Sequence, residues 1–219
     1  MINKNLNYSP NFDLKKRKKN QIKFLIFHYT GMKKEKDSID RLTNAKSKVS
    51  SHYLIKRNGD IIILVPDLFI AWHAGKSFWK DFKNLNKTSI GVEISNPGHQ
   101  HNYKKFTKKQ IKSILKLSKY LIQKYKINSK NILGHSDIAP TRKKDPGEKF
   151  PWQSFSKNKI GIWHSISDEK LKKNRLKKVD LKTEKFFFKN IFKIGYKFIK
   201  STRIKKKNIS SLLITSFQR

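Results

Sequence analysis

Few residues in this 219-residue chain are able to do chemistry. Cysteine is absent, which excludes disulfide frameworks, thiolate zinc sites, iron–sulfur clusters, a cysteine nucleophile and a lipid-modified cysteine. Seven histidines and fifteen acids remain. Three of these stand at strand ends or in a Gly/Pro loop, where sites are built. His28 closes the apolar run KFLIFHYT. His135 closes a short strand in KNILGHSD, and Asp145 follows in the same loop, GHSDIAPTRKKDPG, just before Pro146-Gly147. Two imidazoles and a carboxylate form a nitrogen/oxygen set for zinc with a fourth position open to water. Glu93 lies between Val92 and Ile94 on the strand SIGVEIS, so it points to the opposite face from them. A carboxylate on an otherwise apolar strand is costly unless it is used, and a general base beside a metal would use it. Lys143, two residues before Asp145, suits stabilisation of an oxyanion. The spacing 28→135→145 matches no short metal signature and there is no His-Glu-x-x-His. Satisfied structural histidines therefore remain an open reading of the same residues.

The elements that must position these groups read as α/β, with a central mixed sheet flanked by helices. KFLIFHYT is a buried strand. Residues 37–46 suit a short helix capped by Asp37 or Ser38. SHYLIKRNGDIIILVP is a hairpin around Arg57-Asn58-Gly59-Asp60, which makes one strand pair antiparallel. SIGVEIS is another strand, stopped by Asn96-Pro97-Gly98. The strongest helix spans 107–126, with Thr107 and Gln110 as a capping box and Phe106 and Ile111 as a hydrophobic staple. The chain divides into a loose basic arm over 1–20, a catalytic-size unit over 21–157, a basic linker over 158–183 and a helical tail over 184–219. The tail places Phe187, Phe188, Ile191, Phe192, Gly195, Phe198 and Ile199 on one broad face, with a second helix over 208–218. Two helices of that size cannot make a core alone, so they dock on the main unit, find a partner or form an incomplete module.

The formal net charge is +37. That first suggests nucleic acid or an anionic surface. Only seven of the 52 basic residues are arginine, however, and the excess is spread along the whole chain. With 26 Ile, 17 Asn and four Ala, the composition follows A/T-rich codons, and no cluster of Arg with interleaved aromatics marks a nucleic-acid site. No nucleic-acid partner is expected. The first twenty residues hold no apolar run of signal-peptide length, and no stretch approaches a membrane span. A cytoplasmic monomer is the expectation, with the periplasm or cell envelope as the alternative.

Five strings in this order change the weight of the histidines: FHYTG, VSSHYLIKRNGDI, AWHAGKSFW, NKTSIGVEISNPG and GHSDIAPTRKKDPGEKFPW. Together they resemble the zinc-dependent N-acetylmuramoyl-L-alanine amidases of the type-2 family, whose fold is shared with peptidoglycan recognition proteins and T7-type lysozymes. The resemblance covers about 22–155. It implies Zn2+ held by His28, His135 and Asp145, with Glu93 as catalytic acid/base and Lys143 as electrostatic stabiliser. The implied substrate is peptidoglycan or an anhydro-muropeptide, cut between the lactyl group of N-acetylmuramic acid and L-alanine. A binding module that holds muropeptides without cutting them is the alternative. Trp72 and His73, in the Trp-His-Ala-Gly motif, are expected in the substrate groove. Asn96 is expected either to bond the peptide or sugar or to cap its own turn. His52 is expected to be structural, His99, His101 and His164 solvated, and Trp79 and Trp152 core or groove walls. Ile194-Gly195-Tyr196 and Phe217-Gln218-Arg219 resemble the start of a helical peptidoglycan-binding domain; a basic amphipathic helix at a membrane surface is the other reading.

Overall fold

The computed structural model describes residues 4–197 and 206–218. Six strands form one mixed sheet: β1 (Lys4–Leu6), β2 (Phe24–Tyr29), β3 (Tyr53–Ile55), β4 (Ile61–Ile63), β5 (Ser89–Ile94) and β6 (Ile132–Gly134), in the order β1-β4-β3-β5-β2-β6. The β3–β4 hairpin is antiparallel and the other neighbours run parallel. Its turn carries Gly59 at φ 89, a conformation that favours glycine. The helices are α1 (Glu35–Thr43), α2 (Lys108–Tyr125), α3 (His135–Ile138), α4 (Trp152–Ser156), α5 (Asp168–Arg175), α6 (Leu181–Ile194) and α7 (Lys206–Gln218). Among the described residues, no helix is long and apolar enough to cross a membrane.

Alternation along β2 and β5 sorts the core into two layers. Leu25 and Phe27 of β2, with Ile90, Val92 and Ile94 of β5, pack against Ile114, Leu117 and Leu121 of α2. The helix starts where the sequence predicts, with Thr107 Oγ1 accepting from Gln110 N at 3.1 Å and Gln110 Oε1 accepting from Thr107 N at 3.0 Å. Phe24 and Ile26 face the other way, onto a second cluster with Trp79, Leu85, Leu133 and Ile138. Ile191, Tyr196, Ile209 and Leu213 complete that cluster, so α6 and α7 lie on the second face of the sheet. His28 and Glu93 share this face. They are direct partners in the β2–β5 register, at the carboxyl ends of parallel strands, where open α/β sheets form their crevices.

Several boundaries differ from the sequence reading. α1 begins at Glu35 with Lys34 as its uncapped N-cap, ahead of the expected Asp37 or Ser38. His135 is the first residue of α3 and not the last of β6. α5 lies inside the expected linker, and α6 runs Leu181–Ile194, ending before Gly195. Phe198, Ile199 and Arg219 lie outside the described residues.

The largest difference is at the N-terminus. A basic, polar segment reads as a loose arm, yet β1 adds an edge strand beside β4, and Ser9, Asn11 and Arg17 are buried. Composition alone could not show that backbone carbonyls are waiting for a buried guanidinium. Arg17 donates through Nη1 to the carbonyls of Asn86 (3.1 Å) and Ser89 (2.7 Å), and through Nη2 to those of Asp67 (2.6 Å) and Phe69 (2.9 Å). One side chain thereby ties the entry to β5 to the turn after β4. Arg17→Leu leaves four buried carbonyls unpaired and is expected to lower the unfolding free energy by about 3 kcal/mol, measured by urea denaturation. An unchanged midpoint would return residues 4–20 to the status of a loose arm.

Candidate active site

The three groups singled out from sequence meet at one point. His28 Nδ1 lies 2.9 Å from His135 Nδ1 and 3.1 Å from Asp145 Oδ2, and His135 Nδ1 lies 2.9 Å from the same oxygen. All three residues are buried. β2 delivers His28, the first turn of α3 delivers His135, and the loop that follows folds back to deliver Asp145, with Ser136 N donating to Asp145 O at 2.8 Å.

The hydrogen bonds behind this cluster decide which nitrogens carry protons. A carbonyl can only accept, so Ser89 Oγ donates to Leu85 O at 2.5 Å. Ser89 Oγ then accepts from His73 Nε2 at 3.1 Å, which leaves His73 Nδ1 bare to accept from His28 Nε2 at 3.0 Å. The Nδ1 of His28 is therefore unprotonated and faces the cluster. His135 reaches the same state by a shorter route, its Nε2 donating to the carbonyl of Ala74 at 3.1 Å. Two imidazole lone pairs and a carboxylate oxygen converge with no proton between them, and that arrangement asks for a cation. Their separations are a few tenths of an ångström under the ~3.3 Å edge of a tetrahedral site with ~2.0–2.1 Å bonds. The donor set fits a divalent metal, and each histidine has the outer partner that orients a metal-bound ring.

Protonation states agree. Burial, reinforced by His135 and opposed by Asp145, pulls His28 down to about 4. Burial alone would raise Asp145, but His135 and His28 outweigh it and hold the carboxyl well below its usual range. Neutral imidazoles and an ionised carboxylate are what metal binding requires. Glu93 behaves in the opposite sense: burial, then the charge of Asp145, pushes it up to about 8 against the pull of Lys143. Its Oε2 is buried without a hydrogen-bond partner.

Glu93, His135, Asp145 and Lys143 line a cleft of about 840 Å³ whose far wall is α1 and the segment before it. Lys33, Arg41, Lys143 and Lys144 put positive charge on that cleft, against Asp37 and the site's own carboxylates. Trp72 lines the cleft and donates from Nε1 to Asp13 Oδ1 at 2.7 Å. His73 also borders it, but both ring nitrogens are committed to His28 and Ser89, so its geometry is that of a brace behind His28 more than a groove contact. Asn96 is buried, with Nδ2 donating to Lys104 O at 2.7 Å and Oδ1 accepting from Gly98 N at 3.1 Å. Of its two expected roles, the turn cap is the one the geometry supplies.

Other contributors carried no local signal. Gly91 faces the second layer beside β2, and a Cβ there would sit 2.4 Å from His73 Cγ, so only glycine leaves room for the brace. Asn86 Oδ1 accepts from the backbone N–H of His73 (3.1 Å) and Ala74 (2.6 Å), holding the segment whose carbonyl orients His135. Arg142 donates to that same Ala74 carbonyl. His99, expected to be solvated, is held at the cleft rim between Tyr29 Oη and Glu148 Oε2, each at 2.9 Å, and stacks on Tyr103. His52 is structural, as expected: its Nδ1 accepts from Gly91 N at 3.0 Å and its Nε2 donates to Phe69 O at 3.1 Å.

The sequence pattern of the family described as N-acetylmuramoyl-L-alanine amidase matches residues 18–148. Over 157 residues the chain is 41% identical to the N-acetylmuramoyl-L-alanine amidase AmiD of Escherichia coli K12, a match covering 65% of this chain and 55% of that protein. It is 39% identical over 111 residues to the 1,6-anhydro-N-acetylmuramyl-L-alanine amidase AmpD of Escherichia coli K12, covering 51% of this chain and 58% of the relative. Its match to Haemophilus influenzae AmpD is 33% identical over 165 residues, 67% of this chain and 87% of the relative. The chain thus spans a little over half the length of the first two. Among solved structures, Escherichia coli AmiD in complex with anhydro-N-acetylmuramic acid-L-Ala-D-gamma-Glu-L-Lys superposes with a TM-score of 0.77 at 32% identity, covering 90% of this chain and 79% of that one. AmpDh3 of Pseudomonas aeruginosa, in complex with anhydromuramic pentapeptide, gives 0.75 at 30% identity, covering 90% and 82%.

The neutral histidines make a prediction about acid. Burial lowers His52 to about 3 and His28 to about 4, whereas an unfolded histidine titrates near 6.5. Below pH 6.5 the unfolded chain therefore binds more protons than the folded one, and stability falls as pH drops from 6.5 toward 3. Chelator-treated protein is expected to lose several kcal/mol across this window, at ~1.4 kcal/mol per unit of depression. Urea midpoints that stay flat between pH 6.5 and 4 would contradict the neutral assignment.

Proposed function

This chain belongs to the type-2 N-acetylmuramoyl-L-alanine amidase family, and from that premise we propose that it hydrolyses the amide between the lactyl group of N-acetylmuramic acid, or its anhydro form, and the L-alanine of the stem peptide. The observation that carries the reading is the convergence of His28, His135 and Asp145 beside Glu93, the register partner of His28, at the floor of an open cleft.

Residues 21–157 supply the whole reaction. His28, His135 and Asp145 hold Zn2+, which when bound supplies Lewis acidity and lowers the pKa of a bound water to about 7. Glu93 takes the proton from the attacking water. A carboxylate pushed up to about 8 is a stronger proton acceptor than an exposed glutamate, and a dication beside it favours the ionised form that can act. Glu93 then returns that proton to the departing alanine nitrogen. Lys143, on the cleft wall two residues from Asp145, stabilises the negative charge that develops on the lactyl oxygen. Trp72 forms part of the wall that receives the substrate, and the lysines and Arg41 around it suit the carboxylates of a stem peptide.

The test separates metal, chemistry and binding. Glu93→Ala is expected to keep its metal and lose amide cleavage by about 10²–10⁴-fold, while His28→Ala and Asp145→Ala lose the metal itself. Cleavage is read by mass spectrometry after incubation with soluble anhydro-muropeptides and with intact sacculi, with and without chelator. Near-normal turnover in Glu93→Ala would remove it from the mechanism. Muropeptide binding without cleavage in the metal-loaded parent would make the protein a binding module.

A further inference from the structure

The C-terminal tail reaches the metal centre through one hydroxyl. α6 stops at Gly195, whose φ of 142 reverses the chain. A Cβ at Gly195 would come within 2.7 Å of Trp79 Cε2, and Gly195 O accepts from Lys80 N at 2.8 Å. The turn therefore sits tightly on the segment around Trp79. It drives Tyr196 onto the sheet, where the ring is 5% exposed and meets Trp79 edge-on at 5.0 Å. There Tyr196 Oη donates to Asp137 Oδ1 at 2.5 Å, while Asp137 Oδ2 accepts from Gly134 N at 2.7 Å. One carboxylate thus joins the tail to the N-terminal turn of α3, and the first residue of α3 is His135. A helix of four residues has too few internal bonds to hold its own orientation. It depends on what grips its ends.

We propose that Tyr196 is a positioning residue for the metal centre: through Asp137 it fixes the turn that aims His135, so the tail is part of the scaffold of the site. This rests on His135 being a metal ligand. α7 supports the same turn, since Ile209 and Leu213 are buried in the cluster that contains Ile138, and Ser216 Oγ approaches Pro140 O at 3.5 Å.

The test is metal binding by the full chain, with Co2+ as a spectroscopic probe and Zn2+ by competition with a chelating dye. Tyr196→Phe is expected to weaken metal affinity about three- to tenfold, below the 10–100-fold typical of a residue bonded directly to a ligand, and to alter the visible Co2+ spectrum. kcat on an anhydro-muropeptide should fall with KM held. In an Asp137→Asn background the same change should cost nothing further, because the two act in series. Phe188→Ala, which trims the α6 packing but keeps the hydroxyl, should lower the melting temperature and leave metal affinity unchanged. Parent affinity and spectrum in Tyr196→Phe would overturn the proposal, as would additivity with Asp137→Asn or an equal metal loss in Phe188→Ala. A parent that binds no metal would instead sink the reading of the site itself.

Discussion

Three acceptor atoms held together without a proton between them set the terms for the rest of the structure. Bare nitrogens of His28 and His135 and an oxygen of Asp145 come within 4.8 Å of one another in a buried site. Left alone they would repel, capture protons or rotate apart. What keeps them in place is a set of acceptors further out: the Leu85 carbonyl polarises Ser89, His73 and His28 in one direction, and the Ala74 carbonyl fixes His135. Asn86 and Arg142 hold Ala74, and Arg17 grips the carbonyls on either side of the turn before β5. Most of the buried polar side chains around the site are explained by this one requirement.

The sheet supplies the geometry. In-register parallel pairing of β2 and β5 puts His28 beside Glu93, and alternation places both on the layer away from α2. That layer would otherwise be open along Phe24 and Ile26. α6 and α7 cover it and stop short of the strand ends, which leaves the cleft accessible. Covering the core and bracing α3 are thus served by the same tail residues.

Charge has a narrower meaning here than +37 suggests. Lysines are spread over every element, and their number follows composition. Only those on the cleft wall, Lys33, Lys143 and Lys144 with Arg41, face the place where an anionic substrate would lie. The one arginine with a clear structural task, Arg17, binds carbonyls and no external anion.

By itself the sequence determined the elements with local signals. The Thr107–Gln110 capping box, the Asn58-Gly59 turn and the strand runs around His28 and Glu93 depend on contacts within a few residues, and all stand as read. Five motifs in order also determined the family and, through it, the ligand set. Tertiary structure alone decided what acts across long separations. Arg17 is buried because carbonyls some 50 to 72 residues away converge on it. His73 braces a ligand because Gly91, on a different strand, leaves its ring space. Tyr196 matters because Asp137, 59 residues earlier, is bonded at both oxygens. Local periodicity records which face a residue takes, but a hydrogen bond between distant segments leaves no mark in the composition of either, so only the folded chain reveals it.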